Sequence, residues 1–522
     1  MELALCLSGG GYRAALFHLG ALSLLNEVKV GEGVSLLDHV HTITSISGGA
    51  LTAIEYVLSE IDGNSRKDTF RRLYHDIVYT NIGEMLLKRF DKESKLGRSL
   101  IQTLADIYDE TFFHERKFGS ILEGMSWQGV HHFYVDATDF DIGKPFRFQA
   151  TAQLNIPNRE TDRGLIGNWQ HKIGYEEAKR IRLADIMAAT SCFPIVFEPF
   201  EYPTEFKFEE GDRPHDYNML TIPLMDGGII DNQGIEPALH AHSHLQDEGK
   251  DIDLILICDA GNISSGQLEK DFNSMPISPK CLCKIIAIVG IASFIGMFCA
   301  KECGSNFISG ILGATAFFSL LLCMTMLYAD KVINEKIAKI AKLKVGKSAL
   351  WNRPVRSIGT FLKSRFLTAY RMNDVVMSGN QKRLWYRLIK KVPELFNKFQ
   401  MNSLSLFSPA KKWKNIVTRQ GLDATYRPTS RMKNIAQKAT EVSTSLWFTK
   451  QQLSEGTPKM IFACGRFTTC WNLLIYIDRL KKLKQEDRTE FQNWFIAQEQ
   501  PLLELWDKFK QNPEYNIKRY TD

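Results

Sequence analysis

The sequence predicts an α/β fold in which a mostly parallel central sheet lies between helical layers, interrupted by an apolar two-helix hairpin and a basic helical segment. Three observations predict it. Leu3–Leu7 and Asp253–Asp259 are apolar runs of strand length, the kind that fill a sheet buried on both faces. Two strand-like runs near the N-terminus stop at glycines and give way to apolar residues at helical spacing. Residues 285–300 and 307–329 then carry no charged side chain and are separated by a short polar break.

The first strand, Leu3–Leu7, runs into Ser8-Gly9-Gly10-Gly11-Tyr12-Arg13 before a helix bearing Ala14, Leu16, Leu19, Leu22 and Leu25. Consecutive glycines leave their N–H groups unhindered, so this loop can cradle an anion, either a phosphate or the oxyanion of acyl transfer. The spacings G-x-G-x-x-G and G-K-[ST] are missing, which disfavours a nucleotide fold. No basic region precedes the apolar run and a glycine turn follows it, so it is not read as a leader, and the expected location of the catalytic part is the cytoplasmic side.

The second unit is Thr42–Ile61, where a β-favouring run ends at Ser47-Gly48-Gly49 and Leu51, Ile54, Val57, Leu58 and Ile61 follow at helical spacing. A serine in such a strand–turn–helix projects its Oγ above the sheet, facing the positive end of the helix. The pattern is one residue from G-x-S-x-G, with Ser45 in place of the first glycine.

Residues 62–130 read as helices and loops, and Phe112, Phe113, Phe118 and Ile121 offer apolar bulk either for a lid or for ordinary core. His132–Val135 and Phe146–Ala150 form a hairpin about Asp141, Gly143 and Pro145. Asp136, Asp139 and Asp141 would be scattered by strand alternation and lack calcium-loop spacing. A helix in 182–199 ends at Thr190-Ser191, and Ser191, without a glycine elbow, fits a wall position. Further on, Ile222–Met225 delivers Asp226 to Gly227-Gly228, with Asp231-Asn232 and a helix beginning near Pro237. A carboxylate at a glycine-flanked strand end can reach another strand end, as a base for Ser47 must.

These motifs together resemble the patatin-like phospholipase family. The resemblance covers residues 1 to about 260 in four blocks: GGGYR, the Ser47 elbow, the Ala-Ser-Pro block near 188–199, and DGG with Asn232 and Pro237. It implies a patatin-like three-layer core, Ser47 as nucleophile and Asp226 as its only partner. It also implies an oxyanion hole from Gly9, Gly10, Gly11 and Gly48, with Arg13 bracing the loop. No cofactor and no metal are required by that chemistry. A Ser-His-Asp triad is the competing arrangement, and His240, His242 and His244 follow the DGG motif, yet they look like the surface of a helix.

Outside the resemblance, the 23-residue run is long enough for a membrane span, and the 16-residue run becomes so with Cys281 and Leu282. A transmembrane hairpin is the expectation, with a buried helix pair in a homo-oligomer as rival. Residues 331–400 hold 17 Lys or Arg against 3 Asp or Glu, a strong local bias in a chain whose net charge is only +6. Beside a membrane anchor, anionic lipid head groups are a more economical partner for this charge than nucleic acid, and the same bias holds both hairpin ends in the cytoplasm. Ten cysteines without paired metal spacing read as reduced thiols. The expected division is a catalytic core at 1–280, the hairpin at 281–330, a basic helical insertion at 331–429 and C-terminal helices returning to the core at 430–522. The expected activity is hydrolysis of glycerophospholipid or lysophospholipid esters by a membrane-held serine acyl hydrolase. Neutral-glyceride hydrolysis and a non-catalytic membrane adaptor are the alternatives.

Overall fold

The computed structural model describes residues 2–522 except 32, 96–97, 126–128, 152–165, 195, 213–220, 248, 262–277, 342–388 and 408–423. The described chain forms two compact units, one from Met1–Ser264 with Asn373–Asp522 and the other from Ser265–Met372.

The larger unit is built on a mixed sheet of ten described strands. Its strands are β1 (Leu3–Leu7), β2 (Val40–Ser45), β3 (His132–Asp139), β4 (Lys144–Thr151), β5 (Ile166–Gly167), β6 (Lys172–Ile173), β7 (Phe200–Tyr202), β8 (Ile222–Asp226), β9 (Leu254–Asp259) and β10 (Phe399–Ser403). The order is β10-β9-β1-β2-β3-β4-β5-β6, with β8 pairing β3 and β7 pairing β8. From β10 to β3 all pairs are parallel, and the rest are antiparallel. The antiparallel half begins with the β3–β4 hairpin that the sequence predicts, so the sheet read as mostly parallel is parallel from β10 to β3 and antiparallel beyond it.

The helices that matter for the site are α1 (Gly11–Glu27), α2 (Gly48–Ile61), α3 (Ile82–Lys95), α4 (Leu183–Thr190) and α5 (Ile235–Asp247). Two more, α6 (Pro279–Glu302) and α7 (Asn306–Ala341), belong to the smaller unit, and α8 (Thr457–Lys481) returns to the larger one. Strand alternation divides the core into two layers. Leu3, Leu5, Leu7, Leu254 and Leu256 join the large apolar cluster with α1, α2 and α8, while Ala4, Cys6, Ile255 and Ile257 pack with Ile235, Ala238 and Leu245 of α5. Both faces of the parallel half are therefore covered, which is why its strands read as unbroken apolar runs.

Helix α8 lies across α1 at a point where both carry glycine. A Cβ on Gly20 would sit 2.2 Å from the Phe462 carbonyl oxygen, and one on Gly465 would sit 2.1 Å from that of Phe17. Beside this crossing the fully buried Arg466 pairs with Glu27 and donates to Ser23 Oγ at 3.2 Å. A charge so placed needs such partners, since an unpaired buried guanidinium would be costly.

β10 corrects the expected boundary of the basic segment. Phe399–Ser403 lies within the stretch read as a helical insertion, yet it pairs in parallel with β9 at the sheet edge. Its five residues, three of them polar, gave no strand signal strong enough to stand out from the neighbouring charge. The rest of that segment at 342–388 and 408–423 lies outside the described residues.

The smaller unit contains α6 and α7, joined by a turn in which Gly304 has a φ of +79°. Gly290 lets α7 approach closely, since a Cβ there would be 2.9 Å from Ser319 Cβ, and Ser309 Oγ donates to the Met297 carbonyl at 3.0 Å. Lys280–Glu302 and Asn306–Ala329 have mean hydropathies of 2.3 and 2.1, and only 6% of each apolar window is buried. The 18-residue window in α8 reaches 1.3 but is 94% buried. By length and composition all three could cross a membrane; burial assigns α8 to the core and leaves α6 and α7 as candidate spans.

Candidate active site

Ser47 occupies the turn between β2 and α2 with φ +49° and ψ −123°, a conformation that a residue with a side chain rarely adopts. The strain persists because the surroundings fix it. Its N–H donates to Thr190 Oγ1 at 3.0 Å, and α2 starts directly after it. Gly48 has no room for a side chain, because a Cβ would be 2.1 Å from the Gly11 carbonyl oxygen. Ser45, where the elbow pattern favours glycine, is accommodated by donating its Oγ to the Tyr134 carbonyl at 2.9 Å.

Asp226 ends β8, opposite Ala137 of β3. The Thr138 hydroxyl donates to its carbonyl at 2.9 Å, its own N–H donates to the Cys192 carbonyl at 3.0 Å, and the Gly228 N–H donates to its Oδ1 at 2.8 Å. The Ser47 hydroxyl is near enough to favour the ionised form of this carboxyl. Burial pushes the Asp226 carboxyl up to about 7, against the opposing pull of the Gly228 amide and the Ser47 hydroxyl.

The glycine loop stands beside this pair. Gly10 and Gly11 have φ values of +145° and +60°, and with Gly48 they open the first turns of α1 and α2. Amides in a first turn have no preceding carbonyl of their own helix to bond, so they are the donors such a site can offer. Gly9 departs from the expected role because its N–H donates to the Asn232 carbonyl at 3.1 Å. It serves as a clamp between the glycine loop and the segment after Asp226. That segment is itself pinned by Asp231, whose carboxylate accepts the amides of Gln233, Gly234 and Glu236 at the start of α5.

Arg13 is buried and ties α1 to Ala260 and to the 442–444 segment. Nε donates to the Ala260 carbonyl at 3.1 Å, Nη1 to the Val442 carbonyl, and Nη2 reaches Thr444 Oγ1 at 3.5 Å. The same C-terminal segment accepts the Tyr12 N–H at Ser445 at 2.9 Å and the Ile82 N–H at Leu446 at 3.2 Å. The sequence places this stretch among C-terminal helices returning to the core but does not reveal its part in the cavity, as 442–447 carries no motif and lies some two hundred residues beyond the last one.

Ser47 and Asp226 line a cavity of about 580 Å³. Its walls are largely apolar and come from Leu86 and Leu87 of α3, Phe193, Val196 and Phe197 after α4, and Leu446 and Trp447. Ser191 is a wall residue, its Oγ donating to the Met187 carbonyl at 2.6 Å. Phe112, Phe113, Phe118 and Ile121 are buried core residues rather than a lid, and the exposed apolar rim is formed instead by Leu87, Val196 and Trp447. Among the residues lining the cavity none is a histidine. His240 and His244 stack on each other in α5, and His242 faces Asp251 at 3.1 Å.

Residues 5–239 match the family model for patatin-like phospholipase. No curated protein matches the chain. Among solved structures, human GIVD cytosolic phospholipase A2 is similar at 13% identity, covering 49% of this chain and 45% of that one, with a TM-score of 0.33. The same human protein in complex with a methyl gamma-linolenyl fluorophosphonate inhibitor and terbium chloride is similar at 14% identity, covering 28% of this chain and 23% of that one, with a TM-score of 0.23. The matches thus span less than half the length of the structures compared.

Proposed function

From the premise that the chain carries a patatin-like phospholipase domain over residues 5–239, we propose that it is a serine acyl hydrolase working through a Ser47–Asp226 dyad on fatty-acyl esters of membrane glycerophospholipids or lysophospholipids. The observation that carries this reading is that Ser47, at its strained elbow, and the buried Asp226 line the same largely apolar cavity. An acyl chain entering that cavity would bring its ester carbonyl to the serine. Ser47 Oγ attacks the carbonyl carbon while its proton passes to Asp226, and the Gly10, Gly11 and Gly48 amides receive the developing oxyanion. Collapse of the tetrahedral intermediate expels the alcohol, which takes the proton back. Water, activated by the same carboxylate, then adds to the acyl-enzyme and releases the fatty acid with Ser47 restored.

Location supports the substrate class. Helices α6 and α7 have the length and hydropathy to anchor the chain in a bilayer, and the basic stretch at 331–400 suits anionic head groups on its cytoplasmic side. An anchor at 281–330, inserted in the sequence of the larger unit, belongs to the same proposal. The test is hydrolysis of a dissolved short-chain ester and of bilayer phospholipid by wild type, Ser47→Ala and Asp226→Ala. Both variants should fall to background on both substrates while keeping the wild-type circular dichroism spectrum. Substantial turnover by folded Ser47→Ala would overturn the proposal.

A further inference from the structure

Ser47 is held at an unfavourable φ, and the group receiving its amide is a side chain from a different element. Thr190, the last residue of α4, is fully buried. Its Oγ1 accepts the Ser47 N–H at 3.0 Å and donates its own proton to the Asp136 carbonyl at 2.5 Å. That carbonyl belongs to β3, one residue before Ala137, which pairs with Asp226. It is also the atom against which Gly227 packs, since a Cβ on Gly227 would lie 2.2 Å from it. One hydroxyl therefore ties the backbone of the serine elbow to the strand that positions the carboxylate.

We propose that Thr190 is a positioning residue that sets the separation of Ser47 and Asp226 by bridging the Ser47 amide to the Asp136 carbonyl. This rests on the serine hydrolase reading above. A hydroxyl is suited to the task because it accepts and donates at once. Both of its partners are backbone groups of buried residues, where a hydrogen bond replaces the water they have lost. Valine has nearly the same shape and offers neither bond. With it the elbow loses the interaction opposing relaxation of its φ, and the Ser47 Oγ drifts from the carboxylate.

The experiment compares wild type, Thr190→Val, Thr190→Ser and Ser47→Ala on a dissolved short-chain ester across pH 5 to 9, with unfolding midpoints measured alongside. Displacement of a nucleophile by about 1 Å can cost about 100-fold. Thr190→Val is therefore expected to lose about 10- to 100-fold in kcat with KM changed less than about two-fold. The acid limb of its pH profile should move upward, because the carboxylate loses the nearby serine hydroxyl that favours its ionised form. Thr190→Ser, which keeps the hydroxyl, should recover most of kcat and the wild-type acid limb. Wild-type kcat in Thr190→Val would overturn the proposal. So would a loss that Thr190→Ser fails to rescue, or one that follows the unfolding midpoint with the acid limb unmoved. If Thr190→Val does not fold, Thr190→Ala takes its place. Failure of both to fold would make the residue structural and overturn the positioning role. The parallel Ser47→Ala arm separates the two readings, since activity surviving there refutes the serine nucleophile, whereas its loss beside an unaffected Thr190→Val refutes only the Thr190 role.

Discussion

Asp226→Asn should make the protein more stable and inactive, and the stability gain should depend on pH. The carboxyl is fully buried and its pKa is raised from 3.8 to about 7. A folded-state pKa above the unfolded one means the folded protein binds the proton more tightly. The resulting stabilisation is complete below pH 3.8 and is lost as pH rises through about 7. Roughly three units at about 1.4 kcal/mol each bring the loss to about 4 kcal/mol, an upper figure because any compactness of the unfolded chain reduces it. Asparagine has no charge to bury and can still accept the Gly228 amide through its carbonyl. The unfolding midpoint of Asp226→Asn relative to wild type should thus be nearly level at pH 4 and higher by several degrees at pH 8, with both proteins scanned in the same detergent at the same rate. In wild type, activity should run the opposite way. Only the ionised carboxylate can take the serine proton, so kcat/KM on a dissolved ester should fall tenfold per pH unit below about 7, leaving about 1% at pH 5. A midpoint difference that does not change between pH 4 and 8, or an acid limb near pH 4, would refute the assignment of a strained, buried base.

Three other outcomes follow from the geometry. Replacing His240, His242 or His244 singly with Ala should leave more than about half of the ester hydrolysis, because none of them lines the cavity; loss equal to that of Ser47→Ala in a folded variant would restore the triad. Gly465→Ala should lower the unfolding midpoint by an amount matching about 1–3 kcal/mol, as the added methyl meets the Phe17 carbonyl at the α1–α8 crossing; an unchanged midpoint would show that the helices separate freely there. Membranes should retain the chain through carbonate and high-salt washing, whereas release by salt alone would mean that residues 285–329 do not span and that charge was the tether.

Much of the fold was legible because the parallel strands are buried on both faces and their glycine turns interrupt them at chemically meaningful places. Leu3–Leu7, Thr42–Ser47 and Ile222–Asp226 announce both a strand and the glycine turn that ends it. β10 was not legible: Phe399–Ser403 is a short edge strand whose pairing with β9 comes from tertiary context rather than pattern. Gly9 was misassigned for a related reason. A run of three glycines does not reveal which amide already serves a carbonyl elsewhere in the fold, here that of Asn232. The aromatic group at 112–118 illustrates the same limit from the other side, since core and rim phenylalanines look alike until the packing is known.

The C-terminal contribution changes what counts as the domain that carries the candidate site. The family match ends at residue 239, yet Val442 and Thr444 receive Arg13, Ser445 receives the amide just after the glycine loop, and Leu446 and Trp447 wall the cavity. α8 covers the face of α1 and supplies the buried Arg466 that pairs with Glu27. A chain ended after β9 would leave α1 uncovered along an apolar face and would free the Arg13 side chain from two of its three anchors. Loss of apolar cover at about 25 cal/mol per Å² would destabilise the core even where every motif residue is present. The sequence blocks that identify the chemistry therefore do not make up a folded unit by themselves. The segment from 430 onward is part of the core of the larger unit, joined to it across a stretch of sequence that contains the candidate membrane anchor.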